Sequence, residues 1–389
     1  MKKARETLPN SGEQKKADKA IFILCYAFIA GILLSLKLWV NDHNFPSLPI
    51  LPGSNLLPFP FDYILTGAFL LLLAVLPFIK KKKPVSVAAF LMMLLLFTGD
   101  QNRLQPWAFQ YAIMFSCVTL IYQFKKEKAA VFNDALCWII TGIYLWSGLQ
   151  KFNENYFTDT AYWLMEPVDT LLGFEAKTTG KIAWIIPPLE VLLAIGLLFK
   201  RTTRASVWFL IVMHLFIMVD MGLLRSYNHV IQPWNLAMVL LLLLLLYGRS
   251  ELPLFSRRKQ ILQNRYLAMV FLVFWILPSL SLINLWDSYL SSRLYSGNSS
   301  NGYVFISDKV RQKLPEYLKK QVLEKDGNPY VYINNWSMEE LSVPCYPERR
   351  IYKKARDVFY TYTDDKSEII LLITDQFNLL DTTDVEIIK

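Results

Sequence analysis

The sequence predicts an all-α polytopic membrane helix bundle of about nine transmembrane helices, followed by a small extracytoplasmic α+β domain. The 389-residue chain is 54% hydrophobic, and its mean hydropathy is +0.29. Its apolar residues recur in runs near the ~20 residues that cross a ~30 Å hydrocarbon core. The C-terminal part differs, because it mixes charges of both signs with short β-rich stretches.

The apolar runs follow one another from residue 20 onward. They cover residues 20–40, 61–79, 84–99, 106–124, 131–150, 181–199, 205–224, 231–247 and 266–286. The polar and basic segment 1–19 predicts a cytoplasmic tail. The first run is too long for a cleaved signal peptide, and no small-residue cleavage site follows it. We therefore expect an uncleaved first helix and a bundle over residues 20–286.

Basic residues set the predicted orientation. Lys and Arg gather in alternate loops, such as 80–83, whereas loop 41–60 has neither. The positive-inside rule then places the N-terminus in the cytoplasm and the C-terminus outside, in a multi-pass inner-membrane protein. The basic residues of the predicted cytoplasmic loops thus account for the net charge of +9. We expect the lipid bilayer, and no nucleic acid, as a partner.

The region 287–389 predicts the α+β domain. Residues 330–333 and 369–373 read as strands, and a helical stretch near 308–325 precedes a turn at Asp326 and Gly327. The loop 41–60 is rich in proline and is expected on the membrane surface. The aromatic loop 152–180 is expected as an interfacial segment.

The four cysteines predict neither disulfide nor metal. Cys25, Cys117 and Cys137 fall in apolar runs, and Cys345 stands alone in the C-terminal region. No pair has metal-ligand spacing.

Polar residues crowd the outer end of the fifth run. Ser147, Gln150, Lys151 and Asn153 lie within seven positions there. Ser147 and Lys151 are four residues apart and therefore share a helix face. Lys151 has two open interpretations. It snorkels to the headgroups, or it is a partly desolvated amine that acts as a base.

Further polar groups lie inside apolar runs or at their ends. Glu190 and His214 are expected at similar mid-depth on an antiparallel hairpin, where they could pair; a structural clamp and a cofactor or proton site are both open. Asp220 lies one to two turns further out. Asp100 and Arg103 predict an ion pair that supports an outward-facing cavity.

The segment Ser147–Asn153 resembles the outer-end motif of the vitamin K-dependent γ-carboxylase/HTTM family of membrane proteins. The central Glu190, the His-Leu-Phe run from His214 and the Gln-Pro-Trp-Asn run 232–235 agree with it. The resemblance covers roughly residues 20–290, and DoxX-like proteins share part of the pattern. Two departures are Gln150, where the eukaryotic motif has a second lysine, and the small C-terminal domain.

The resemblance implies a lipid quinone, of menaquinone or vitamin K type, as cofactor. Lys151 would be the base that deprotonates it, and Trp146, Glu190 and His214 would lie near it. The leading hypothesis is a quinone-dependent, quinol-oxidising membrane enzyme of epoxidase or carboxylase type. The alternatives are a non-enzymatic scaffold that presents its C-terminal domain to an extracytoplasmic protein partner, and a proton-coupled carrier that uses Glu190 and His214.

Overall fold

The computed structural model describes residues 11–51, 59–122, 128–247, 254–374, 376, 378–379 and 385–388. Eight helices in this described part are long and apolar enough to cross a membrane. We number the helices in chain order. They are α1 (Ser11–Leu34), α2 (Phe61–Phe78), α3 (Lys82–Gly99), α5 (Lys128–Gln150), α7 (Gly180–Leu197), α8 (Thr203–Leu224), α9 (His229–Tyr247) and α10 (Arg265–Ile283). The aromatic loop 152–180, predicted as an interfacial segment, contains the shorter helix α6 (Ala161–Leu172).

The fourth apolar run forms a shorter helix, α4 (Pro106–Tyr122). Each of the nine predicted runs therefore corresponds to a helix, and eight of those helices meet the length needed to span a bilayer. The first helix begins at Ser11, inside the segment predicted as a tail. Residues 1–10 of that tail lie outside the described residues.

Helix α5 lies at the centre of the bundle. It packs along α7 and α1, and most of its residues are buried. Gly148 makes the contact with α7 possible, because a Cβ atom at this position would lie 2.9 Å from the backbone nitrogen of Val191. Small residues allow such close approach of two helix backbones in membrane proteins. The C-terminal end of α5 is thereby brought directly beside Glu190.

The C-terminal domain is built on a five-stranded antiparallel sheet with the order β2-β3-β1-β4-β5. The strands are β1 (Asn301–Ile306), β2 (Val322–Lys325), β3 (Asn328–Tyr332), β4 (Ile369–Thr374) and β5 (Val385–Ile388). Two helices, α13 (Ile333–Leu341) and α14 (Arg349–Phe359), pack against the central strands. Alternate residues of β1 and β4 are buried, as expected for strands with one covered face.

The predicted turn at Asp326 and Gly327 joins β2 to β3, and both residues have positive φ. Such angles suit a tight two-residue hairpin. The single helical stretch predicted near 308–325 is instead two short helices, α11 (Asp308–Lys313) and α12 (Glu316–Lys319), followed by β2. Pro315 between them has an extended backbone and donates no N–H, so one continuous helix cannot form.

The domain rests on one end of the bundle, which we call the domain end. The side chain of Gln105 donates to the carbonyl of Pro344 at 2.9 Å, and the backbone N–H of Asn44 donates to Glu340 at 2.9 Å. The ring of Phe45 lies 4.9 Å from that of Trp336. The described part of loop 41–60 therefore packs against the domain, and its location on the membrane surface stays a prediction. Residues 52–58 lie outside the described residues.

Candidate functional site

The Lys151 side chain turns into the bundle at the domain end. Only 7% of the residue is exposed. Its ammonium nitrogen lies 3.0 Å from the backbone oxygen of Ser147, 2.8 Å from the hydroxyl of Ser147 and 2.8 Å from Oε2 of Glu190. Glu190 is also buried. The two residues form an ion pair that is shielded from bulk solvent.

The expected pair of Glu190 with His214 is not formed. Within the described residues, Glu190 bonds Lys151, and no hydrogen bond joins it to His214. The reason is the close contact at Gly148, which brings α5 rather than α8 to the carboxylate.

His214 belongs to a second polar cluster, with Tyr144 and Asn235. Its Nε2 lies 2.6 Å from the hydroxyl of Tyr144, and its Nδ1 lies 2.7 Å from Oδ1 of Asn235. The amide of Asn235 donates from Nδ2 to the carbonyl of Ile231 at 2.9 Å, which orients its oxygen toward the ring. All three residues are buried.

Both clusters line one cavity of about 130 Å³. Tyr144, Ser147 and Lys151 face it from α5, where their spacing of three and four residues places them on a single helix face. Apolar side chains make up most of the remaining wall. Gln110 adds an amide whose Oε1 has no hydrogen-bond partner among the residues that the structure describes. The cavity thus combines an apolar wall with a few convergent polar groups, as small-molecule sites do.

Gln150 and Asn153 of the same motif hold the segment that covers this cavity. Oε1 of Gln150 accepts from Nε of Arg293 and from Nδ2 of Asn298, both at 3.0 Å. Asn153 donates to the carbonyl of Ser296 at 2.8 Å. We call residues 292–298 the lid. The motif therefore divides by function: its serine and lysine face the cavity, and its two amides anchor the lid.

Arg293 is the most unusual residue of the lid. It is fully buried, donates from Nη2 to the carbonyl of Ser281 at 2.5 Å, and has no partner at Nη1. No carboxylate contacts it within the described residues. Burial lowers the pKa of its guanidinium to about 10.

Tyr295 of the lid separates the cavity from a wider space. Its ring stacks on Trp163 at 5.7 Å, and its hydroxyl accepts from Asn228 at 2.6 Å. Tyr295 and Leu294 also line a polar vestibule of about 910 Å³ between the bundle and the C-terminal domain. One layer of side chains thus divides the vestibule from the cavity.

The other predicted site residues lie elsewhere. Trp146 is outside the cavity, because its indole N–H donates to the carbonyl of Trp275 on α10. Asp220 is buried in an ion pair with Arg225 at 3.3 Å. The predicted pairing of Asp100 with Arg103 is replaced by other bonds. Asp100 accepts from the backbone of Leu48, and Arg103 donates to three backbone carbonyls.

The structure adds residues that the sequence did not single out. Tyr144 could have been found, since it shares the helix face of Ser147 and Lys151. Asn235 is the last residue of the Gln-Pro-Trp-Asn run 232–235. The sequence of that run could not predict the hydrogen bond of Asn235 with His214. The described residues contain no group of three His, Cys, Asp or Glu side chains that could hold a metal ion.

Comparison with protein-family models, with curated proteins and with solved structures finds no match to this chain.

Proposed function

We propose that this protein is a membrane oxidoreductase that binds a lipid quinol in the cavity and removes a proton from it. The observation that carries the proposal is the buried Lys151–Glu190 ion pair on the wall of an otherwise apolar cavity. Burying charges is costly, so such a pair among membrane-spanning helices marks a functional site. The resemblance to the γ-carboxylase/HTTM family supports the same class of ligand.

The cavity has the dimensions of a single aromatic ring and the polarity that suits a quinol. Its volume of about 130 Å³ is close to the ~150 Å³ of a protein cavity known to hold benzene. Tyr144 and Ser147 are three residues apart, which is about 4.5 Å along the axis of α5. Two polar clusters thus face an apolar space of about one ring. A larger head group needs the lid or the half-buried Phe216 to move.

The ion pair supplies the proton chemistry. Glu190 holds Lys151 as an ammonium, so the proton that leaves a quinol hydroxyl goes to the carboxylate of Glu190. The ammonium then stabilises the phenolate that remains. In the simplest balanced reaction, the quinol gives two electrons and two protons to dioxygen and leaves as quinone, with hydrogen peroxide as the second product.

We further propose that the domain end faces outside the cell in the inner membrane. The basic run 80–83 covers the connection after α2 and the start of α3, at the opposite end of the bundle, as the positive-inside rule requires of a cytoplasmic loop. The vestibule then opens to the extracytoplasmic side, from which a water-soluble oxidant reaches the lid.

Oxidation of menaquinol by the purified protein in nanodiscs tests the function. We expect quinone to form with the wild-type protein and Lys151→Ala to lower its rate at least tenfold. Lys181→Ala is the matched control, because Lys181 is exposed near the same end of the bundle. Undiminished turnover by the Lys151 variant would remove the proposed mechanism.

A further inference from the structure

We propose that the vestibule, together with the sheet face that continues it, binds a neutral oligosaccharide. The vestibule shares only Leu294 and Tyr295 with the wall of the cavity that holds Lys151. The two sites are therefore separate, and sugar binding is independent of the quinol chemistry. Three features of the vestibule wall point to a sugar: its low charge, its hydrogen-bonding side chains and its row of aromatic rings.

The vestibule presents little net charge to a ligand. Arg225 is already paired twice, with Asp220 at 3.3 Å and with Glu166 at 3.2 Å. Arg293 is fully buried. The third charged residue of the wall, Asp159, is exposed. Its carboxylate repels anions and accepts hydrogen bonds from hydroxyl groups. Phosphates, nucleic acids and acidic polymers therefore do not suit this wall.

Amides and hydroxyls of the wall still have hydrogen bonds to offer. Within the described residues, the side chains of Asn155, Asn335 and Tyr303 make no hydrogen bond. Asn301 accepts from the hydroxyl of Tyr332 at 2.7 Å and keeps its two amide protons. Amides and hydroxyls both donate and accept, as each hydroxyl of a sugar does. Since Asn155 belongs to the bundle and Asn335 to α13, a ligand meets these groups on two sides.

A row of four aromatic rings leads out of the vestibule across the sheet. Tyr332 and Tyr303 line the vestibule, and their rings stack at 4.9 Å. Tyr330 follows at 6.1 Å from Tyr303, and Phe305 lies 5.4 Å from Tyr330. All four are half-buried, and they alternate along β1 and β3 with the buried residues. The row therefore lies on the face of the sheet opposite α13 and α14.

Such a row suits the shape of a sugar ring. The faces of a pyranose carry C–H groups, whose partial positive charge is attracted to the negative face of an aromatic ring. The rim of the pyranose carries hydroxyls, which the neighbouring amides can bind. The vestibule volume of about 910 Å³ is near the upper end of the ~300–1,000 Å³ range of small-molecule sites. It therefore has room for more than one sugar ring.

The sheet favours a sugar over an extended peptide at this place. A peptide strand adds to the unpaired edge of a sheet. The sheet residues that line the vestibule belong to β1, β3 and β4, which are inner strands in the order β2-β3-β1-β4-β5. Both sides of these strands are paired with neighbouring strands. The sheet therefore presents side chains to the vestibule, and no free edge.

Titration of the full-length protein with neutral hexasaccharides tests the site. The probes are cellohexaose, maltohexaose and chitohexaose, and isothermal titration calorimetry measures binding. The protein is held in nanodiscs, because detergents with sugar head groups would compete. We expect at least one probe to bind with a Kd of about 1 mM or tighter. Salt at about 0.5 M should not weaken this binding, and the anionic hexagalacturonate should bind less tightly.

Variants assign the binding to named side chains. Tyr303→Ala removes a central ring of the row, so we expect about tenfold weaker binding, and Tyr303→Phe should lose less. Asn335→Ala should also weaken binding. Ile387→Ala is the matched control, because Ile387 is exposed on the same face but outside the row. Quinol oxidation should be unchanged in all four variants, since none of these residues lines the quinol cavity.

Several outcomes would overturn the sugar site and leave the quinol function intact. One is that none of the three neutral sugars binds. Another is that hexagalacturonate binds more tightly than all of them, or that Tyr303→Ala binds the sugar as well as the wild type. Tighter binding of a neutral hexapeptide of alternating serine and tyrosine would assign the vestibule to a peptide instead. Failure of quinol oxidation, with sugar binding retained, would remove only the function proposed above.

Discussion

Oε2 of Glu190 lies 2.8 Å from the ammonium nitrogen of Lys151, and both side chains are nearly excluded from solvent. The contact joins the C-terminal end of α5 to the middle of α7. It exists because Gly148, three residues before the lysine, lets the two backbones meet. The ion pair supplies the charged groups of the site and also links α5 to α7. Substitutions at either residue are therefore expected to affect both chemistry and stability.

Removing one partner of this pair should destabilise the protein more than removing both. A lone buried charge costs about 3–5 kcal/mol, whereas replacing both ions by apolar side chains is often neutral or stabilising. We therefore expect a large loss of thermal stability in Glu190→Leu, and recovery of most of it in the double variant with Lys151→Met. Thermal unfolding in detergent measures both. Equal losses in the single and double variants would contradict a direct ionic coupling.

The rate of quinol oxidation by the same variants separates their effect on chemistry from their effect on stability. The double variant should be well folded and inactive, because neither proton acceptor nor ammonium remains. A folded and fully active double variant would show that the pair only holds the helices together.

Features that depend on neighbouring residues could be predicted from the sequence, whereas contacts between distant segments could not. The apolar runs, the hairpin turn at Asp326 and the polar end of α5 are local patterns, and all are present. The partner of Glu190 could not be read, because it depends on the rotation and depth of α7 against α5. Arg293 and Phe45 were missed for the same reason, since each acquires its role from contacts with distant segments.

Loss of the Gln150 side chain should loosen the lid. Gln150→Ala removes the oxygen that accepts from both Arg293 and Asn298 in a buried place, and a buried donor left without its acceptor costs about 1–3 kcal/mol. We expect faster hydrogen exchange in residues 292–298, with little change in the C-terminal sheet. Leu149→Ala, at the lipid-facing neighbour, is the control. Unchanged exchange in the lid would show that the amide is not its anchor.

Glu348 should make stability depend on pH. Burial, followed by the nearby Asp287, raises the pKa of Glu348. The folded state therefore holds this proton more tightly than the unfolded state. Its contribution is fully present below the unfolded pKa of about 4.3 and is lost as pH rises through the folded value.

Glu348→Gln mimics the protonated acid and keeps an oxygen for the backbone N–H of Ser288, which donates to Glu348 at 2.9 Å. We expect this variant to melt higher than the wild type at pH 8 and at a similar temperature near pH 4.5. Parallel melting curves across that range would exclude Glu348 as the titrating group.

Gly297, the single glycine of the lid, should tolerate alanine poorly. Its φ is +69°, and a Cβ atom there would lie 2.6 Å from the backbone nitrogen of Tyr156. Gly327 is the matched control, because its φ is +75° and nothing lies within 4 Å of a Cβ atom. Gly327→Ala therefore carries only the backbone cost of the left-handed region, about 1–2 kcal/mol.

Gly297→Ala carries that cost and also pushes the lid away from Tyr156, which is buried beside the amide of Asn153. We expect a larger drop in melting temperature than in Gly327→Ala, together with faster hydrogen exchange across the lid. Quinol turnover should fall in the first variant alone, because a displaced lid no longer closes the cavity above Lys151. Equal behaviour of the two alanine variants would mean that the lid does not depend on its close contact with the π-helical turn at Tyr156–Thr160.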